Sequence, residues 1–121
     1  MCFISRLIPY KRIAEKDIFV QKLLTYPHMY SPFFFEEWIP NQLKTAKIGE
    51  ITQSTLGEYC INEGIHSAKS ILRINIRTYI SGRTTLNPTV DCKVYEAFIP
   101  KGSEYYVNDE GEYVSNQLII L

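Results

Sequence analysis

The fold is decided by the run Lys93-Val94-Tyr95-Glu96-Ala97-Phe98-Ile99, closed by Pro100-Lys101-Gly102, and by the hairpin-like residues C-terminal to it. Glu104-Tyr105-Tyr106-Val107 and Glu112-Tyr113-Val114-Ser115 flank Asn108-Asp109-Glu110-Gly111. The flanks are rich in β-branched and aromatic residues, which suit a pleated, half-buried surface. The Asn-Asp-Glu-Gly segment has the chemistry of a four-residue hairpin loop. Gln117 to Leu121 reads as a returning strand. The last third of the chain is therefore expected to be antiparallel β structure.

Working outward, Ile18 to Leu24 is apolar, carries β-branched Ile18 and Val20, and is soon ended by Pro27, so a strand is expected there. Cys2 to Ile4 and Tyr59-Cys60-Ile61 are short strand candidates, and Phe33 to Ile39 and Leu43 to Ile51 look extended. One helical pattern stands out. Ala68, Ile71, Leu72, Ile76, Tyr79 and Ile80 recur at three- and four-residue steps, with Lys69, Arg73 and Arg77 on the other side. Ser67 is placed to cap it and Gly82 to stop it. The expected architecture is α+β: a mostly antiparallel sheet with one packed amphipathic helix, in a single domain over residues 1–121.

Thirteen basic side chains balance thirteen acidic ones, so no global field draws the chain to nucleic-acid backbones or anionic lipid. General nucleic-acid binding and membrane insertion are not expected; the longest apolar runs are too short to span a bilayer. The start, Met1-Cys2-Phe3-Ile4-Ser5-Arg6, lacks the layout of a secretion signal. Cys2, Cys60 and Cys92 are three in number and far apart, which suits reduced thiols in a cytoplasm. With two histidines and scattered thiols, neither a metal nor another cofactor is expected. The glycines form no phosphate-cradling loop, and no Gly-x-Ser-x-Gly elbow is present.

The order of several short motifs also carries a likeness. Met1-Cys2-Phe3-Ile4-Ser5-Arg6, Tyr30-Ser31-Pro32, Gly64-Ile65-His66-Ser67, Ile99-Pro100-Lys101-Gly102-Ser103-Glu104-Tyr105-Tyr106 and Glu112-Tyr113-Val114-Ser115-Asn116 occur together. In that arrangement, which spans nearly the whole chain, it resembles a family of small proteins from phages and mobile elements of gut bacteria. The chain departs from that pattern at Pro40-Asn41-Gln42-Leu43-Lys44, where the family usually carries a Gly-Lys pair with aromatic neighbours. The resemblance implies a phage-encoded accessory protein acting in the host cytoplasm, and it implies no reaction.

Nine tyrosines and six phenylalanines are a large aromatic complement. Tyrosine rings stack on planar ligands while guanidinium groups fork onto phosphate, so such a mixture suits a nucleotide-like molecule. His66 and Ser67 at the expected helix start, Arg73 and Arg77 along it, and Tyr105, Tyr106 and Tyr113 in the hairpin are the candidate ligand-binding residues. Tyr59 and Arg83 could add to them. The leading expectation is a non-catalytic protein that sequesters a nucleotide-like ligand or host defence signal, in a hollow within one chain or between copies in a homo-oligomer. Tyrosine-rich strands equally suit a module that binds a host protein. A small nucleotide-modifying enzyme pairing His66 with Glu96 is a third reading, and it requires those side chains within a few ångströms of each other.

Overall fold

The computed structural model describes residues 3–25, 37–70 and 92–121. Within them the chain forms β1 (Phe3–Ser5), β2 (Arg12–Ile13), β3 (Ile18–Thr25), β4 (Leu43–Thr45), β5 (Thr52–Gln53) and β6 (Tyr59–Ile61). These are followed by β7 (Ile65–Ala68), β8 (Cys92–Ile99), β9 (Glu104–Val107), β10 (Glu112–Ser115) and β11 (Gln117–Ile120). The strands expected at the C-terminal end coincide with β8 to β11, and Asn108 to Gly111 forms the hairpin loop. Gly111 takes a positive φ of 77°, which a side chain would oppose. The Asn108 carboxamide oxygen accepts from the amides of Glu110 and Glu112, the local bonding that makes asparagine a turn former.

The α+β expectation is overturned: the described residues are all strand and loop, without a helix. Ser67 does not cap a helix but lies inside β7, paired with Tyr113 of β10. All four residues of β7 are buried, because both faces of this strand are covered. Such a strand shows no polar–apolar alternation, so the strand character of Ser67 and Ala68 leaves no local signal. The remainder of the expected helix, with Arg73 and Arg77, lies outside the described residues, as do most of Phe33 to Ile39 and Arg83. Of the extended stretch expected over Leu43 to Ile51, only β4 forms a ladder.

Every described pairing is antiparallel. One sheet has eight strands in the order β2-β9-β10-β7-β3-β8-β11-β4. A smaller one has three, β1-β6-β5. The large sheet closes on itself. β10 and β11 are separated only by Asn116, yet β10 bonds to β7 and β11 to β8, so the path β10-β7-β3-β8-β11 returns to one continuous stretch. The edges of the order are β2 and β4, both short, which limits the unpaired backbone they present.

The closing strand changes phase at Asn116. Tyr113 packs against the main core before it, and Leu118 and Ile120 belong to that core after it. Strict alternation would have put the even-numbered pair on the opposite face, so Asn116 acts as a one-residue bulge. Its amide donates to the Glu104 carbonyl and its carbonyl accepts from Ala46, so the bend leaves neither group orphaned.

The core inside the closed sheet comprises Ala14, Val20, Leu24, Trp38, Ile65, Ala97, Ile99, Leu118 and Ile120. A second cluster, Phe3, Ile61, Tyr106 and Val114, joins the small sheet to the outside of β9 and β10. The large sheet thus has an inner face on the main core and an outer face that is partly covered by the small sheet. No helix among the described residues is long and apolar enough to cross a membrane.

Candidate functional site

Alternation along each strand assigns every ladder residue to one face, and the assignment sorts charge by sign. Arg12, Lys22, Lys44 and Lys93 share the inner face. Among the described ladder residues no carboxylate accompanies them there. Glu96, Glu104 and Glu112 are on the outer face. The two faces of one sheet therefore carry opposite charge although the chain as a whole is neutral.

Lys22 is the deepest of these cations, 7% exposed, and sits between core residues Val20 and Leu24 of β3. An ammonium group tolerates such burial only when hydrogen bonds replace its water. Its Nζ donates to the His66 carbonyl oxygen at 2.6 Å. The register Gln21–Ala68 sets Lys22 beside Ser67, and Ser67 faces Tyr113 while Lys22 faces Tyr95. One row across four strands of the inner face therefore reads Tyr113, Ser67, Lys22, Tyr95.

Trp38 lies against this row. The Lys22 and Lys44 ammonium groups each stand 5.5 Å from its ring centroid, within cation–π range. Lys44 also donates to the Glu37 carbonyl, which fixes its side chain near the ring. Lys93 stands over Tyr95 at 5.6 Å. Two buried polar atoms, Trp38 Nε1 and Ser67 Oγ, have no hydrogen-bond partner among the described residues. Each donates, and each lies on the side of the sheet where the cations gather. Buried donors are normally satisfied, so each of these atoms calls for an acceptor beyond the described residues.

No family model, curated protein or solved structure matches this chain. The chemistry of the site is therefore what points to a role.

Of the residues singled out in the sequence, Ser67, Tyr105 and Tyr113 come together on the inner face. The rings of Tyr105 and Tyr113 are 5.9 Å apart and tilted by 40°. Arg12 is the cross-strand neighbour of Tyr105 and stacks over Tyr10 at 4.4 Å. Burial raises the Tyr113 hydroxyl pKa, the Tyr105 hydroxyl adds to the rise and the Arg12 charge opposes it. The phenol is therefore the neutral form at physiological pH.

The other candidates do not join this group. His66 faces outward beside Val114, and its Nε2 donates to the Asn62 carbonyl at 2.9 Å. Tyr106 is interred with Phe3, Ile61 and Val114, so its ring is spent on packing. Tyr59 is in the small sheet. Arg73 and Arg77 lie outside the described residues. Glu96 is exposed and accepts from the Gln21 carboxamide at 3.0 Å. His66 on β7 and Glu96 on β8 are separated by the whole of β3. That is about 10 Å of sheet, too far for the acid–base pair an enzyme reading requires. Among the described residues no three His, Cys, Asp or Glu side chains gather as metal ligands would.

Lys22, Trp38, Lys44, Arg12 and Tyr95 are the site residues that sequence reasoning missed. Lys22 did leave a signal. It is the one charged residue in Ile18 to Leu24 and has the same parity as Ile18, Val20 and Leu24, so it points where they point.

Proposed function

We propose that this chain is a non-catalytic binding protein that holds a small anionic, ring-bearing ligand of nucleotide type on the inner face of its closed sheet. The single observation that carries the reading is the convergence of Lys22, Trp38 and Ser67. A desolvated ammonium group adjoins two buried donors that lack partners among the described residues. Phosphate and carboxylate oxygens are the acceptors that such a group would bind most strongly. Tyr95, Tyr105 and Tyr113 on the same face pack against the main core yet stay half-exposed, which leaves part of each ring as a flat surface, and Arg12 adds a forked cation at the edge.

Among the described residues no acid–base pair adjoins this centre, which suits capture better than conversion. The likeness to phage and mobile-element proteins supports the idea that capture serves to sequester a host signal in the bacterial cytoplasm. Trp38 is the only tryptophan in the chain and touches the proposed centre, so its emission reports occupancy. Calorimetric titration with cyclic and ADP-ribose-type nucleotides, followed in parallel by Trp38 fluorescence, tests the reading. A saturable signal from at least one nucleotide, lost in Lys22→Met, is expected. Flat traces over the whole panel would refute it.

A further inference from the structure

The two faces of the large sheet differ in hydrogen-bonding role as well as in charge. Among the described ladder residues, those with carboxylate or carboxamide groups are Gln21, Glu96, Glu104, Glu112 and Gln117. Register places all five on the outer face. Hydroxyls apart, the polar ladder side chains of the inner face are Arg12, Lys22, Lys44 and Lys93. These groups donate and do not accept. A ligand that turned an amino group toward them would set donor against donor and lose affinity.

Lys22 and Arg12 divide recognition on this face. Lys22 is a compact charge buried beside Ser67 and Trp38, which suits a phosphate. Arg12 is exposed on β2, the edge strand, where its guanidinium is steadied over the Tyr10 ring at 4.4 Å. It neighbours Tyr105 across the ladder, and its charge reaches the Tyr113 hydroxyl. Glu104, next to Tyr105, faces outward and meets Lys11 instead. Tyr113 and Lys22 share a row two strand spacings apart. That is about 10 Å, within the length of a mononucleotide. A base on Tyr105 and Tyr113 would thus turn one edge to the Arg12 fork while its phosphate reached Lys22. O6 and N7 of guanine or hypoxanthine are adjacent acceptors that a guanidinium binds with both arms, whereas adenine sets a 6-amino donor beside N7. Resting on the nucleotide reading above, we infer that the site selects a 6-oxopurine nucleotide and that Arg12 reads the base.

Cyclic IMP and cyclic AMP differ only at C6 and in the proton on N1, so titrating the full chain with each isolates the base edge. Cyclic IMP is expected to bind more tightly in calorimetry, by about tenfold or more. Arg12→Lys keeps the charge and loses the fork, at a position exposed enough to leave the fold intact. It should bring the two affinities within about threefold of each other. Equal binding of both by the wild-type chain, or tighter binding of cyclic AMP, would overturn the inference and leave the nucleotide reading standing. A preference that survives Arg12→Lys would remove the role given to Arg12. Binding of neither, while another nucleotide binds, would also sink the inference; flat traces for every nucleotide would sink both readings.

Discussion

The Lys22 ammonium group donates to the main-chain carbonyl of His66 at 2.6 Å, tying β3 to β7 from inside the closed sheet. The bond joins residues 44 positions apart and holds a buried cation beside Ser67 and Trp38. It also orders two groups by contrast: the His66 backbone serves the inner face while its imidazole serves the outer one.

Lys22→Met keeps the length of the side chain and removes its charge. Nucleotide binding should fall by at least a hundredfold in calorimetry. Losing a charge-assisted hydrogen bond is expected to cost about 1–3 kcal/mol in urea unfolding, with the apolar thioether recovering part of it. Retained nucleotide binding in this variant would show that the ligand is held elsewhere.

Gly64, which precedes β7, has a φ of +132°, and a Cβ added there would meet Val114 Cγ2 at 2.5 Å. Gly64→Ala combines a strained backbone with overlap against a fully buried side chain. A loss of about 2–4 kcal/mol in chemical denaturation is expected. An unchanged midpoint would mean that β7 can shift without cost.

Asn108 bonds four ways: its nitrogen to the Ile4 carbonyl and Glu112 Oε1, its oxygen to the amides of Glu110 and Glu112. The first of these ties β1 to the hairpin loop. Asn108→Ala should lower stability by about 1–2 kcal/mol. In hydrogen exchange, protection should fall first at β1 and its partner β6, with the β3–β8 pairing unaffected.

Glu112 is half-buried, and desolvation raises its pKa above the ordinary carboxylate value, with Glu110 adding to the rise and the Asn108 bond opposing it. A raised folded-state pKa means that the protonated form is favoured by folding. Its contribution is fully present below the unfolded-state pKa and is lost as pH climbs through the folded-state value. Glu112→Gln retains the acceptor for Asn108 and removes the titration. Its melting temperature should exceed that of wild type by about 1–3 °C at pH 7, and the difference should vanish near pH 3. Equal melting temperatures at both pH values would show that folding does not shift the Glu112 titration.

Much of the β structure was legible because its signals are local. Asn108 to Gly111 has turn chemistry within four residues, and the flanking strands follow from it. The run Ile18 to Leu24, with its β-branched residues, announced β3 in the same way. The helix expected from Ser67 onward does not start there: Ser67 and Ala68 lie in β7, and all four residues of that strand are buried. Burial on both faces erases alternation, the signal by which a strand is told from a helix. The site divides along the same line. Tyr105 and Tyr113 belong together by parity within the hairpin, and Lys22 shares the parity of Ile18, Val20 and Leu24, but its meeting with Trp38 and Ser67 depends on partners far away in sequence.

By itself, the sequence determined β3, the C-terminal strands β8 to β11 with their hairpin, the neutral overall charge and an aromatic content suited to stacking. Those properties depend on neighbours along the chain. Tertiary structure alone decided that Arg12, Lys22, Lys44 and Lys93 share a face from which, among the described residues, the ladder glutamates are absent. A side chain's face is set by register, and register here is fixed by pairings such as Lys22–Tyr95 and by the phase change at Asn116. Shifting any one strand by a single residue would exchange its faces, and outside the apolar run Ile18 to Leu24 no local pattern records that choice for Arg12, Lys44 or Lys93.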